Sequence, residues 1–249
     1  MATEKRARPD THKHDHGQDH GHHHRDVSGG WLRPAVFGAM DGLVTNVSLI
    51  AGVGGGGGSA HTIVLTGLAG LAAGAGSMAT GEYVSVSSQN ELVQAEVDKE
   101  RLELENNPVF EQAELAAMLR ARGVSAATAR QAAAEISAHP EQALAVHALE
   151  ELGVDPGELP SPVVAAGASL ASFAVGAIIP LIPYLVGLQV MALSLGLAAV
   201  AAIAGGGMVA RLTNRPFWRG AVRQLLLGAA ASAVAVTYLI GVAVGHVAG

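Results

Sequence analysis

The segment that decides how the chain is read is Glu91 to Glu158, ELVQAEVDKERLELENNPVFEQAELAAMLRARGVSAATARQAAAEISAHPEQALAVHALEELGVDPGE. It carries 14 acidic residues against five basic ones, Lys99, Arg101, Arg120, Arg122 and Arg130, a local charge of −9 in a chain whose total is −6. The remainder is therefore slightly basic, and its composition is that of a membrane protein. Of the 249 residues, 50% are hydrophobic and 14% charged, where a soluble domain averages about 25% charged. Two long apolar runs precede the acidic block and three follow it.

The runs are Pro34–Gly57, Thr62–Val86, Pro162–Gly187, Val190–Val209 and Ala221–Val247. Each is long enough to cross about 30 Å of hydrocarbon as a helix. Pro180 and Pro183 predict a kink or break in the third. The fold class expected is all-α, a polytopic membrane protein with five transmembrane helices and a cytoplasmic helical metal-binding domain inserted between the second and third. The domain division expected is a disordered His-rich cytoplasmic tail over 1–30, transmembrane helices 1–2 over 31–90, the acidic domain over 91–160, and helices 3–5 over 161–249. Basic residues set the orientation. Arg25 and Arg33 precede the first run, Arg211, Arg215 and Arg219 lie between the fourth and fifth, and Arg223 lies at the start of the fifth. The connections at 54–61 and 187–189 carry no Lys or Arg. The N-terminus, the insert and the arginine loop then share the cytoplasmic side, with the C-terminus opposite. The polar start does not resemble a cleaved signal peptide. Without cysteine, thiolate metal sites and cysteine nucleophiles are excluded.

Inside the insert the pattern is helical. The second membrane helix is expected to continue through Ser85–Glu105 and to end at Asn106-Asn107-Pro108. Further helices are expected over Val109–Arg122, Ala126–Ala138 with Ser125 as cap, and Glu141–Leu152.

Chemistry is suggested in three places. The tail holds seven of the eleven histidines, with Asp15 and Asp19 between them, the composition of a weak metal collector or of a solubilising tail. Within the membrane runs, Asp41 and Glu82 are costly carboxylates that need a partner or a cavity. Met78, one turn before Glu82, adds a soft thioether on the same face. In the insert, Glu96, Glu100 and Glu103 share a helix face, as do Glu111 and Glu114, and as do His147 and Glu151. Like charges stacked at these spacings repel, and a bound cation removes the cost. A solvated acidic face has the same spacing.

Three stretches resemble the vacuolar iron transporter family with its nodulin-like and bacterial relatives. They are Asp41-Gly42-Leu43-Val44-Thr45-Asn46, the run from Gly74 to Gln89 (GAGSMATGEYVSVSSQ), and Ser161-Pro162 through Ile179-Pro180-Leu181-Ile182-Pro183. The resemblance implies proton-coupled export of a divalent metal, Fe²⁺ and in some members Mn²⁺, from the cytoplasm by a homodimer. The metal is then transported substrate and the proton the coupling ion, with no prosthetic group, no enzymatic activity and no nucleic-acid partner. The membrane is the plasma membrane if the cell is a bacterium. The resemblance also implies that Glu100, Glu103, Glu111, Glu114 and Glu151 are metal ligands, with His147 near a position where family members often have methionine. Asp41, Met78 and Glu82 fall on family pathway positions. The competing reading is a membrane-anchored metal-binding or storage module without transport. A di-iron enzyme would call for Glu-x-x-His motifs, which the insert lacks.

Overall fold

In the computed structural model the described residues are 30–232 and 234–248. The His-rich tail lies outside them. Every regular element among them is helical.

Helix α1 spans Leu32–Gly55, and α2 spans Ala60–Asn106. Ser59 starts α2 by accepting the Thr62 N–H at 3.2 Å, the usual side-chain cap for an orphan donor. At 47 residues, α2 is about 70 Å long. About 20 of its residues suffice to cross a bilayer, so its second half projects as a rigid stalk and carries the acidic segment. Asn107-Pro108 ends it, and α3 (Pro108–Ala121) begins with that proline at its first position. Helix α4 (Ala126–Ser137) is capped by Ser125, as expected. Helix α5 covers Pro140–His147, and there the structure departs from the expectation of one regular helix to Leu152. Ala148–Leu152 form a π-helical turn, closed by Gly153 in the left-handed region at φ 69°. Such turns recur at functional sites.

Helix α6 (Pro162–Ile178) ends where Pro180 and Pro183 fall, passing through a 3₁₀ turn at Ile179–Leu181 into the short α7 (Ile182–Leu185). Helix α8 is Met191–Leu212. Around the fifth apolar run the described helical residues are Phe217–Ser232 (α9) and Val234–Ala248 (α10), on either side of residue 233, which lies outside the described residues. Among the described residues, four helical spans have the length and composition to cross a membrane: Leu32–Gly55, Ala60–Asn106, Pro162–Leu185 and Met191–Leu212. Tyr238–Val247 is a shorter apolar helix. Large apolar side chains such as Leu65, Val175, Val200 and Leu226 stand exposed on these helices, which suits lipid and not water.

Helix α1 is the centre of the bundle. A Cβ on Gly42 would collide with the Phe173 carbonyl oxygen of α6, and one on Gly241 of α10 with the Gly52 carbonyl oxygen. Only glycine allows backbones this close, the packing mode of helices in lipid. Asn46 ties three helices together. Its amide donates to the Gly67 carbonyl of α2 at 3.2 Å and to the Ala177 carbonyl of α6 at 2.7 Å. Gly38 meets Ser169 and Ser172, Gly74 meets Phe173, and Gly206 meets Gly220. The first two contacts put the start of α1, the outward continuation of α2 and the start of α6 at one end of the bundle, and Phe37 and Gln224, which line one crevice, bring the first half of α9 to that end. The acidic helices leave from that end.

Candidate metal centre

Four helical segments bring one residue each to a common point. Glu100 comes from the α2 stalk, Glu111 from the first turn of α3, His147 from the end of α5, and Glu151 from the π turn. One ligand atom from each lies within 4.8 Å of all the others. Apolar contacts hold the helices in place. Val97, Leu144 and Ala148 pack on one side, and Leu115, Ala116 and Ala133 on the other. Glu100 falls on the same stripe as Val97 and Leu104, so the packing that buries Val97 turns Glu100 inward. His147 is fully buried, Glu111 is 3% exposed and Glu100 is 7% exposed.

The polar accounting does not close. His147 Nδ1 lies 3.0 Å from Glu100 Oε1, 3.1 Å from Glu151 Oε1 and 3.9 Å from Glu111 Oε2. One ring N–H can be directed at only one of them, and the hydrogen bond falls to Glu151. Glu100 Oε1 and His147 Nε2 are buried with no hydrogen-bond partner. Buried polar groups are normally satisfied, and unpaired buried carboxylates are costly. The insert's basic residues do not help. Arg101 pairs with Glu141 at 3.2 Å, Arg122 with Glu150 at 2.7 Å, and Lys99 lies 4.0 Å from both Glu96 and Glu103. Among the described residues no Lys or Arg pairs with Glu100, Glu111 or Glu151.

The consequence is electrostatic. Burial pushes the Glu100 carboxyl above its ordinary value, and the negative charges of Glu151, Glu111 and Glu103 add to the rise while His147 opposes it. Burial does the same to Glu111, reinforced by Glu114, Glu103 and Glu151 and again opposed by His147. The site favours either protons or a cation. Three carboxylates and one imidazole form a hard-to-borderline donor set, suited to Fe²⁺, Mn²⁺ or Zn²⁺. An ion held by Nδ1 requires the imidazole proton on Nε2.

The remaining expected ligands are placed differently. Glu103 and Glu114 are partly exposed at the rim and lie outside the four-residue cluster. They act on it through charge. Asp41 lines a crevice of about 230 Å³ between α1 and α9, with Phe37, Met40, Val44, Gln224, Leu227 and Gly228. Thr45, one turn on, hydrogen-bonds the Asp41 carboxylate. Met78 packs beside Ala75, Phe173 and Ala177, and Glu82 is partly exposed. No metal-ligand cluster among the described residues includes Asp41 or Glu82. The three-helix clamp at Asn46 is a role that sequence reasoning missed. Its only signal was an amide in an apolar run.

The model of the VIT family matches residues 32–242. The chain belongs to the VIT family. A vacuolar iron transporter of Acanthamoeba castellanii is 40% identical over 164 residues, 65% of this chain and 59% of that protein. Vacuolar iron transporter 1 of Oryza sativa is 30% identical over 229 residues, 89% of this chain and 90% of that one. Vacuolar iron transporter homolog 2 of Arabidopsis thaliana is 32% identical over 216 residues, 85% of each chain. The matched range takes in both the apolar helices and the acidic helices.

Proposed function

We propose that the chain is a proton-coupled transporter that exports Fe²⁺, and also Mn²⁺, from the cytoplasm. The observation that carries this reading is the buried Glu100–Glu111–His147–Glu151 cluster, whose charge is balanced only by a cation or by protons. Its Glu100 stands on the same unbroken helix that carries Met78 and Glu82 in its membrane half. The named relatives are vacuolar iron transporters, which supports iron as cargo.

In this scheme the acidic helices, assigned to residues 91–160, face the cytoplasm and collect the ion. It passes to Glu82 and Met78 and then to Asp41. Glu103 and Glu114 raise the local cation concentration at the rim. A carboxylate binds a metal ion or a proton but not both, so a proton arriving from the far side at Asp41 displaces the metal. That competition is the coupling. Asp41 opens into a crevice whose lining holds no second carboxylate among the described residues, and the scheme takes the transporter to be a homodimer in which a second copy completes the pathway. The fifth crossing is assigned to residues 221–247, with the C-terminus on the far side. The membrane is the plasma membrane if the cell is a bacterium.

The test is metal flux in proteoliposomes. Asp41→Ala should abolish Fe²⁺ flux, while Glu100→Ala should only weaken it. Equal flux through wild type and Asp41→Ala would overturn the scheme.

A further inference from the structure

Residues 159–249 contain four arginines, Arg211, Arg215, Arg219 and Arg223, and no Asp or Glu. All four are exposed at or just past the connection between α8 and α9. None forms an ion pair among the described residues. The connection itself is ordered. Thr213 caps α8 through its N–H and hydroxyl, both directed at the Val209 carbonyl at 3.0 Å. Asn214 takes the left-handed conformation at φ 53°. The Arg215 N–H then returns to the Ala210 carbonyl at 2.7 Å.

Two of the cations lie over aromatic rings. The Arg211 guanidinium lies 5.3 Å from the Phe217 ring centroid, and that of Arg219 lies 5.4 Å from the Trp218 ring. Trp218 is itself 63% exposed. Arg33 and Trp31, at the start of α1, occupy the same end of the bundle, since Phe37 and Gln224 line one crevice. The result is a band of guanidinium groups with no ion-pair partner among the described residues, beside exposed tryptophan, where apolar helices end.

Guanidinium groups match phosphate oxygens with paired, charge-assisted hydrogen bonds. Tryptophan settles at headgroup depth. The geometry points to a binding site for the phosphate of an anionic phospholipid headgroup at the α8–α9 connection. Lipid is the source favoured over free phosphate, because the helices that carry the arginines hold them in the plane where lipid phosphates are concentrated. The site is separate from the acidic cluster and does not depend on metal transport.

The test uses the full chain carrying Trp31→Phe, which leaves Trp218 as the only tryptophan. It is reconstituted in phosphatidylcholine vesicles, and Trp218 quenching by brominated phosphatidylglycerol is compared with quenching by brominated phosphatidylcholine. The expected result is an association preference of about tenfold for the anionic lipid, since each nearby arginine contributes up to about fivefold. The R211Q/R215Q/R219Q/R223Q variant should lose the preference. The R211K/R215K/R219K/R223K variant should keep the part of it that charge alone supplies and lose the part due to paired guanidinium hydrogen bonds, which separates loss of charge from loss of fold. Equal quenching by both lipids, or an unchanged preference in the glutamine variant, would overturn the site. Loss of the preference in millimolar inorganic phosphate would overturn the lipid assignment. So would a change in oligomer mass on neutralisation with lipid selectivity unmoved, which would place the arginines against the acidic segment of a neighbouring copy.

Discussion

Glu111→Gln separates a metal site from a solvated acidic face because it should move two quantities in opposite directions. The side chain is 3% exposed, and its ligand atom lies within 4.8 Å of those of Glu100 and Glu151. Two like charges at that separation repel by about 3.5 kcal/mol at an effective dielectric of 20. Glutamine removes two such pairs. Proton uptake by the cluster and water at the partly exposed Glu151 relieve most of this already, leaving a net gain of about 1–2 kcal/mol. The metal-free variant should therefore be more stable locally than wild type, although it has lost a charged partner of His147. Metal binding should weaken, because one anionic ligand is gone. Hydrogen exchange of the full-length protein reads both effects at residues 140–152, where local opening reports local stability. Without metal, exchange there should slow by about 5- to 30-fold in the variant. With Mn²⁺, wild type should gain protection and the variant should gain much less. Unchanged or faster exchange in the metal-free variant, together with full Mn²⁺ protection, would refute the cluster as a cation site.

Further outcomes follow from the acidic cluster and from the helix packing. The raised carboxyls of Glu100 and Glu111 mean that the folded protein holds protons which the unfolded chain releases. Their contribution to the metal-free fold is therefore full below the ordinary carboxylate range and is lost as pH rises through the raised values. Mn²⁺ affinity should climb over that same window, with proton release measurable by calorimetry in buffers of different ionisation enthalpy. An affinity that is flat across it would contradict the assignment. Asn46→Ala removes both amide hydrogen bonds that tie α1 to α2 and α6, and should cost about 1–2 kcal/mol in detergent unfolding.

Local punctuation made much of the fold legible in the sequence. Asn107-Pro108, Ser125, Gly153 and the Pro180–Pro183 pair mark real boundaries, because each acts through its own backbone chemistry. The length of α2 was legible for the same reason: nothing in 60–106 interrupts a helix. Which acids turn inward was harder to read. Glu100 and Glu103 differ by less than a quarter turn around the helix, and spacing alone treats them alike. Only the burial of Val97 selects Glu100, and only the packing of Leu115 selects Glu111. The Val97–Glu100–Leu104 stripe was the available clue. The π turn at Ala148–Leu152 left no sequence signal, because it answers to tertiary packing and not to local propensity. The close approach of α1 to α6 and α10 was visible only as an excess of glycine.

The most direct measurement is Fe²⁺ entry into proteoliposomes holding the wild-type chain, with and without an opposing proton gradient. Coupled transport predicts that a gradient supplying protons from the side opposite the acidic helices drives Fe²⁺ uphill, and that collapsing it stops the flux. Binding of Fe²⁺ with no flux under either condition would leave a membrane-anchored metal-binding module and contradict transport.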